Sequence, residues 1–234
     1  MSLLKKKYPD YYFYQGRKIS KKISPSQKNL IKSTYHTYSL DESIIEFHQN
    51  KNLKKKIFFP KKYQKINIEI GFGNGDFLVK NAISNPEELF IGIEVYMNGI
   101  AKVLKAIIDF KLENIILSNL NSIHFLKAIH SNTIDKIFII NPDPWIKKRH
   151  KKRRLISYDV INLMTSITKS KNSIYMTTDS VSYLNHTKSL LIENNDLFGD
   201  FRVITLTKND ELYGISRYQK KAIEKGRKIY LLKF

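Results

Sequence analysis

Short β-branched runs alternate with longer amphipathic segments from residue 66 onward, and this alternation restricts the fold more than any other feature of the chain. Apolar runs of about four to eight residues are typical of strands, and apolar residues spaced three or four apart are typical of helices. Strands are predicted at residues 66–70, 89–95, 114–118, 134–140, 173–177, 201–207 and 228–232. Helices are predicted at residues 76–84, 98–110, 121–130, 155–170 and 181–194.

This order predicts an α/β fold, a Rossmann-like doubly wound and mostly parallel sheet with helices on both faces. Residues 1–60 are different, because they are polar, rich in lysine and without sustained periodicity. We expect them to form a basic, partly flexible N-terminal arm with one short helix near residues 41–49. A single domain is predicted over residues 61–234.

Positive charge is concentrated in three segments of the chain, whose formal net charge is +20. Residues 1–65 hold 16 Lys and Arg against 4 Asp and Glu, residues 146–154 hold 7 basic residues and no acidic one, and residues 217–234 hold 7 against 1. A nearly neutral body with basic flanks is typical of a protein that binds polyanions. Drift toward lysine in an AT-rich genome is the alternative, but drift would not cluster arginines within residues 149–154.

Composition excludes several classes of protein. The chain has no cysteine, which excludes disulfides and thiolate metal sites, and its six histidines are scattered without ligand spacing, so we expect no metal. The first seven residues are basic but are followed by Tyr-Pro-Asp, which is not typical of a secretory signal. Apolar stretches are far shorter than the roughly 20 residues that span a bilayer. We therefore expect a soluble cytoplasmic protein, either a monomer or a homodimer.

The turn after the first strand holds Gly71, Gly73 and Gly75, which let the backbone adopt unusual φ angles and approach a ligand closely. A dinucleotide-binding loop would have its third glycine where Asp76 stands, and a carboxylate there repels pyrophosphate, which argues against a nicotinamide-dependent dehydrogenase. Glu69, at the end of the strand, adds a second negative charge. This turn suits a ligand with ribose, adenine, an ammonium and a sulfonium but no phosphate, which is S-adenosylmethionine.

Two further strand ends support that interpretation. Glu94 ends the second strand, where a carboxylate accepts hydrogen bonds from both ribose hydroxyls of such a ligand. Asn121 follows the third strand, where its amide reads the adenine edge or caps the next helix, and both roles can hold together.

The fourth strand runs into Asn141-Pro142-Asp143-Pro144-Trp145 and then into the basic segment 146–154. The two prolines fix the backbone around Asp143, and Trp145 offers a stacking surface. A carboxylate, an aromatic ring and a cationic belt together are what purine recognition on RNA requires. A rigid turn followed by a solvated basic helix start is the alternative.

These motifs closely resemble the tRNA (guanine-N7-)-methyltransferases, which are class I S-adenosylmethionine-dependent methyltransferases. The resemblance covers roughly residues 55–234. It rests on residues 69–75 (EIGFGNG), 92–95 (GIEV), 142–145 (PDPW), 147–150 (KKRH), 153–154 (RR), 177–179 (TTD) and 216–219 (SRYQ). The resemblance implies that residues 61–234 form the methyltransferase domain. It also implies tRNA as the partner and a variable-loop guanosine as the target.

The resemblance assigns roles to residues by position. The cofactor-binding residues are Glu69, Gly71, Gly73, Gly75, Glu94, Asn121 and Asp143. The residues that face the target guanosine are Asp143 and the substrate-binding residues Lys147, Asp179, Ser216, Arg217, Tyr218 and Gln219. We expect Asp143 to be the catalytic residue, because its carboxylate can stabilise the positive charge that the purine acquires during methyl transfer. The tRNA phosphate contacts expected in the basic segment are Lys148, Arg149, Lys151, Arg153 and Arg154. The chain departs from the family at its last motif, because Gln219 replaces a glutamate that would accept hydrogen bonds from the guanine edge.

Two alternatives remain. An amino-methyltransferase acting on adenine or cytosine in nucleic acid would have two adjacent prolines after the fourth strand, whereas Asp143 separates them here. An RNA-binding module that has lost catalysis is the second, and the presence of Glu69, Glu94 and Asp143 argues against it.

Overall fold

The computed structural model describes residues 23–49, 57 and 59–234. Predictions that concern residues 1–22 and most of 50–58 lie outside the described residues. The strands are β1 Lys65–Ile70, β2 Glu88–Ile93, β3 Ile115–Ser118, β4 Lys136–Ile140, β5 Ile174–Thr178, β6 Arg202–Thr205 and β7 Tyr230–Lys233. The helices are α1 Pro25–Thr34, α2 Asp41–Gln49, α3 Asp76–Ser84, α4 Met97–Phe110, α5 Ser122–Lys127, α6 Tyr158–Ile167, α7 Val181–Glu193, α8 Asn195–Phe198 and α9 Arg217–Glu224. Two 3-10 segments, Tyr35–Tyr38 and Lys148–Arg153, complete the described elements.

The strands form one seven-stranded sheet in the order β3-β2-β1-β4-β5-β7-β6. Strands β1 to β5 pair in parallel, while β7 pairs antiparallel with both β5 and β6. The prediction of a Rossmann-like, mostly parallel sheet is therefore confirmed. Because the first five strands are parallel, their carboxyl ends meet at one edge of the sheet, which is where open α/β sheets bind ligands.

Side-chain alternation along the strands divides the core between the two faces of the sheet. In β2, Leu89, Ile91 and Ile93 join a cluster with α6 and α7, while Phe90 joins a separate cluster with α3 and α4. Both faces of the central strands are thus covered, as their near-continuous apolar sequences predict.

The described part of the N-terminal segment packs onto this domain. The predicted helix near residues 41–49 is confirmed as α2, and its Ile44 and Ile45 are fully buried in the core. Ser39 adds a parallel bridge to Leu117 of β3. The division of the chain at residue 60 stays a prediction.

Helix α1 was not predicted, although it carries a local start signal. The Ser24 hydroxyl accepts a hydrogen bond from the backbone N–H of Gln27, and the Gln27 side chain accepts one from the backbone N–H of Ser24. Pro25 follows at the first helical position. A capping box with proline at that position favours a helix even where apolar periodicity is weak.

None of the helices in the described ranges is long and apolar enough to span a membrane.

Candidate active site

The glycine turn between β1 and α3 exposes its backbone at the ligand-binding edge. Gly71, Gly73 and Gly75 have φ angles of 76°, 58° and 81°, in the left-handed region that favours glycine. A Cβ atom at Gly71 or Gly73 would meet nothing within 4 Å, so open space faces these two positions. A Cβ at Gly75 would collide with Val103 of α4. The first two glycines therefore leave room for a ligand, and the third allows helix packing.

Glu69 lies buried beneath this turn, with 3% of its surface exposed. Burial, followed by the charges of Glu94 and Asp76, raises the pKa of Glu69 to about 8, while a hydrogen bond from the backbone of Leu78 opposes the rise. Its Oε2 atom is buried and accepts no hydrogen bond from the described residues. This carboxyl group has an open acceptor and forms no ion pair with the described residues, so it fits a ligand ammonium and therefore the predicted cofactor.

Glu94 holds the glycine turn against the end of β2. Its Oε2 accepts a hydrogen bond from Gly73 N at 2.7 Å, and its Oε1 accepts from Val95 N at 2.7 Å and Tyr96 N at 2.9 Å. Burial raises the pKa of Glu94, the three backbone N–H groups lower it, and Asp143 raises it further. Because an oxygen that accepts one bond has a second lone pair, Oε2 can still accept from a ribose hydroxyl.

Asn121 caps α5, since its Oδ1 accepts a hydrogen bond from Ile123 N at 2.9 Å. The capping interpretation of this residue is confirmed. Asn121 lies three residues after the end of β3, so it remains at the same edge of the sheet as Glu69 and Glu94.

A pocket of about 210 Å³ lies between the carboxyl ends of β4 and β5 and helix α9. It is lined by Asn141, Pro142, Asp143, Pro144, Asp179, Tyr218, Lys221, Ala222, Lys225 and Arg227. Three predicted site residues, Asp143, Asp179 and Tyr218, thus come together although they are far apart in sequence. A larger pocket of about 320 Å³, lined by Ile192, Asn195, Asp200 and Phe201, contains none of the predicted site residues.

Asp179 forms an ion pair that the sequence did not indicate. Arg227, in the loop before β7, donates from Nη1 to Asp179 Oδ2 at 2.9 Å. Asn141 Nδ2 lies 3.5 Å from Asp179 Oδ1. In the sequence Arg227 is only one residue of the basic C-terminal segment, because nothing local connects it with a strand end 48 residues earlier.

The residues of the last motif, 216–219, lie in different surroundings: Tyr218 lines the pocket and Gln219 is buried in the protein. Ser216 caps α9 through a hydrogen bond from Gln219 N at 3.1 Å, while Arg217 and Tyr218 are exposed. Gln219 is fully buried, and its Nε2 donates to Thr177 Oγ1 at 3.1 Å. The Thr177 hydroxyl in turn donates to Asn141 Oδ1 at 2.8 Å, so it can only accept from Gln219. Gln219 therefore supports the strand ends from within, and it is absent from the pocket lining.

The basic segment is a 3-10 helix with Lys147 as its N-cap residue. The exposed cations of this segment are Lys147, Lys148, Arg149, Lys151, Lys152 and Arg153. Trp145 has a φ of 42°, with the Arg153 guanidinium 5.1 Å from its ring centroid and the His150 ring edge-on at 5.8 Å. One face of the expected stacking surface is thus already covered by Arg153.

Arg154 does not fit the predicted phosphate contact, because only 7% of its surface is exposed. Its Nε donates to Pro144 O at 2.9 Å, its Nη1 to Ser182 O at 3.1 Å and its Nη2 to Ser182 Oγ at 2.9 Å. The guanidinium also lies 4.8 Å from the Tyr183 ring centroid. Each of its three nitrogen atoms thus donates a hydrogen bond to a group within the protein.

No group of three or more His, Asp or Glu side chains suited to a metal ion occurs within the described ranges.

Two solved structures with a similar fold are named as methyltransferases. A 30S ribosomal A1408 methyltransferase from an uncultured bacterium matches with a TM-score of 0.50 and 24% identity, covering 74% of this chain and 88% of that one. The precorrin-6y C5,15-methyltransferase of Geobacter metallireducens matches with a TM-score of 0.50 and 13% identity, covering 74% and 81%. The fold is that of the class I S-adenosylmethionine-dependent methyltransferases.

The particular family follows from sequence similarity. The model of the Methyltransf_4 family, described as "Putative methyltransferase", matches residues 63–232, and the chain belongs to this family. The tRNA (guanine-N(7)-)-methyltransferase of Wolbachia pipientis is 31% identical over 196 residues, which cover 82% of this chain and 85% of that protein. The family resemblance seen in the motifs is therefore confirmed.

A second group of relatives is longer than this chain. The bifunctional methyltransferase of Rickettsia conorii is 35% identical over 217 residues, which cover 91% of this chain but 38% of that protein. The chain thus spans well under half the length of these relatives.

Proposed function

We propose that this protein transfers a methyl group from S-adenosylmethionine to N7 of a guanine in tRNA. The observation that carries the proposal is the position of Asp143. This carboxylate lines the pocket with Asp179 and Tyr218, and it follows β4, the strand next to β1, whose end leads into the glycine turn. S-adenosylmethionine bound at the glycine turn and a guanine bound in the pocket would therefore both lie beside Asp143.

The cofactor would bind along the carboxyl ends of β1, β2 and β3. Glu69 would pair with its ammonium, the backbone of Gly71 to Gly75 would lie beside it, and Glu94 would accept a hydrogen bond from the ribose. Asn121, which follows β3, would contact the adenine. The bound group supplies an electrophilic methyl carbon on a sulfonium, and the acidic edge formed by Glu69, Asp76 and Glu94 favours that positive charge.

For methyl transfer to guanine N7, the protein must mainly position the two reactants and stabilise the charge that develops. Guanine N7 has an in-plane lone pair and no proton, so methyl transfer there needs no general base. The residues must hold N7 in line with the methyl carbon at about 3 Å. They must also stabilise the positive charge that the purine acquires, and Asp143 and Asp179 are the carboxylates placed for this. The name of the Wolbachia relative supports guanine N7 as the target.

The tRNA body would lie across the exposed cations of the 3-10 segment. Lys147, closest in sequence to the Pro142–Pro144 turn, contacts a ribose or phosphate of the target nucleotide. The cations that follow it contact neighbouring phosphates, and the C-terminal basic residues Lys221 and Lys225 extend the surface along the pocket rim. The family resemblance supports a variable-loop guanosine as the target. We propose the cytoplasm as the compartment, as expected from the composition of the sequence.

The test is a methyl-transfer assay with labelled S-adenosylmethionine and tRNA that lacks 7-methylguanosine, followed by nucleoside analysis. Label in 7-methylguanosine is the expected result. Label in a methylated adenosine or cytidine would replace the proposal with an amino-methyltransferase. Tight tRNA and cofactor binding without any label would replace it with a binding module.

A further inference from the structure

Arg154 is a buried cation whose observed partners are neutral. Its three hydrogen bonds go to the carbonyl oxygen of Pro144 and to the carbonyl and hydroxyl oxygens of Ser182, and its π contact is with Tyr183. Burying a guanidinium without a paired carboxylate costs free energy, so a well-packed apolar residue would hold the fold at lower cost. The arrangement calls for a role other than stability.

The turn that Arg154 contacts is attached at its other end through Asn141, which is hydrogen-bonded to Thr177. Pro142 and Pro144 have no backbone N–H, so the turn can be fastened mainly through its carbonyl oxygens. The Nε atom of Arg154 donates to the Pro144 carbonyl oxygen, and its Nη1 and Nη2 atoms donate to Ser182 in the first turn of α7. The planar guanidinium makes these three bonds in a fixed geometry, which the single point charge of a lysine cannot reproduce.

Asp143 lies between the two prolines and therefore moves with this turn. The Arg154 guanidinium lies 4.8 Å from the centroid of the Tyr183 ring. Burial raises the pKa of Tyr183 to about 12, the charge of Arg154 opposes that rise, and the charge of Asp143 adds to it. The Tyr183 hydroxyl also accepts from Ile156 N at 3.1 Å, which fixes the chain just after Arg154.

We infer that Arg154 is a positioning residue that sets the Asp143 carboxylate by clamping the Pro142–Pro144 turn to the start of α7. The inference rests on the proposed function for the role of Asp143, but the clamp itself does not. An exposed cation such as Arg149 would contact phosphate in the proposed function, whereas Arg154 would act through the turn. Loss of Arg154 should therefore lower kcat, whereas loss of Arg149 should weaken the salt dependence of tRNA binding.

The main variant is Arg154→Lys, which keeps the positive charge but loses the planar guanidinium that makes the three hydrogen bonds. We expect kcat to fall by about 10- to 100-fold, as for a small displacement of a catalytic group, with a much smaller change in KM for tRNA. Arg202→Lys, at an exposed arginine of β6, is the matched control and should leave kcat unchanged. Unchanged kcat in Arg154→Lys would overturn the inference.

Salt dependence separates a clamp from a phosphate contact. Losing one phosphate contact lowers the slope of log affinity against log salt by about one. Arg149→Gln should show this loss, and Arg154→Gln should keep the wild-type slope. A slope reduced equally in both would make Arg154 a phosphate contact instead.

Trp145 gives a readout that needs no activity, because it is the only tryptophan and directly follows Pro144. A loosened turn should make its fluorescence more accessible to acrylamide in Arg154→Lys but not in Arg202→Lys. If Arg154→Lys does not fold, Ser182→Ala removes one of the three bonds, with Ser189→Ala on the same helix as control. If quenching increases in the variant but the wild type shows no methyl transfer, the proposed function is refuted and the clamp stands. If quenching is unchanged in Arg154→Lys, or in Ser182→Ala when that variant is used instead, the clamp is refuted.

Discussion

The Asp41 carboxylate, at the start of α2, accepts a hydrogen bond of 2.5 Å from the hydroxyl of Ser118 at the end of β3. Tyr35 donates to the same carboxylate at 2.6 Å, and the backbone N–H of Asn119 donates at 3.2 Å. Burial raises the pKa of Asp41, and the donors around it oppose that rise. This cluster ties the N-terminal segment to the loop that leads to Asn121, so the segment supports one wall of the proposed cofactor site.

Replacing Tyr35 with phenylalanine tests this attachment. The change removes one hydrogen bond to a buried charged group, so the free energy of unfolding should fall by about 1.5–3 kcal/mol. Urea unfolding measures the loss. Tyr38→Phe, in the same 3-10 segment but only half-buried, is the control and should have a much smaller effect. Equal losses in the two variants would show that the Asp41 cluster does not hold the segment.

Cofactor binding should release a proton from Glu69. Its pKa of about 8 leaves the carboxyl mostly protonated at pH 7, whereas a ligand ammonium favours the carboxylate. Affinity for S-adenosylhomocysteine should therefore rise between pH 6 and pH 8. Calorimetry at pH 7 in buffers of different ionisation enthalpy should show release of up to about one proton. Glu69→Gln should release none, while Glu211→Gln, at an exposed position, should behave as wild type.

The same shift makes stability depend on pH. The pKa of Glu69 is raised from its ordinary 4.5, so the stability of the protonated form is fully present below pH 4.5 and is lost as the pH rises toward 8. Glu69→Gln should lack this loss and gain stability relative to wild type across that range. A difference between the two proteins that does not change with pH would contradict the burial of an uncompensated carboxyl.

Asp143→Asn should reduce turnover far more than it weakens tRNA binding. Removing one preorganised electrostatic contact to a transition state costs about 100- to 1,000-fold in kcat. Single-turnover kinetics and a tRNA binding titration measure the two effects separately. Asp200→Asn, at an exposed aspartate outside the pocket, is the control. Similar losses of turnover and binding would remove Asp143 from the catalytic role.

Gln219→Glu restores the residue usual in the family and should destabilise this protein. The Thr177 hydroxyl already donates to Asn141, so an ionised glutamate at position 219 would lose the hydrogen bond that the amide makes. Burial raises the pKa of a carboxyl group, so the variant should lose stability as pH rises and its side chain ionises. Urea unfolding at pH 5 and pH 8 measures this. Gln64→Glu, at an exposed position, should show little pH dependence, and equal behaviour of the two variants would contradict the expectation.

tRNA affinity should fall steeply with salt if the exposed cations contact phosphates. Neutralising six or more phosphates predicts a loss of roughly a thousandfold between 50 and 200 mM salt. Filter binding or fluorescence anisotropy at several salt concentrations gives the slope. A shallow slope would favour compositional drift as the source of the lysines.

Much of the sheet and one half of the site follow from local sequence. β-branched runs mark the strands, the three glycines mark a turn with positive φ, and the order of elements implies that Glu69, Glu94 and Asp143 end neighbouring strands. Such features can be predicted because strand periodicity and turn conformation depend on residues a few positions apart. The capping role of Asn121 is local in the same way.

Tertiary structure decided which polar side chains face the ligand and which are buried. Arg153 and Arg154 are adjacent and chemically identical, yet one is exposed beside Trp145 and the other is buried against Ser182. Gln219 supports Thr177, and Arg227 pairs with Asp179, across separations of 42 and 48 residues. Sequence alone determined the kinds of charge and turn available at the edge of the sheet. Their orientations depend on hydrogen-bond partners from distant strands and helices, which only the packed fold brings within reach.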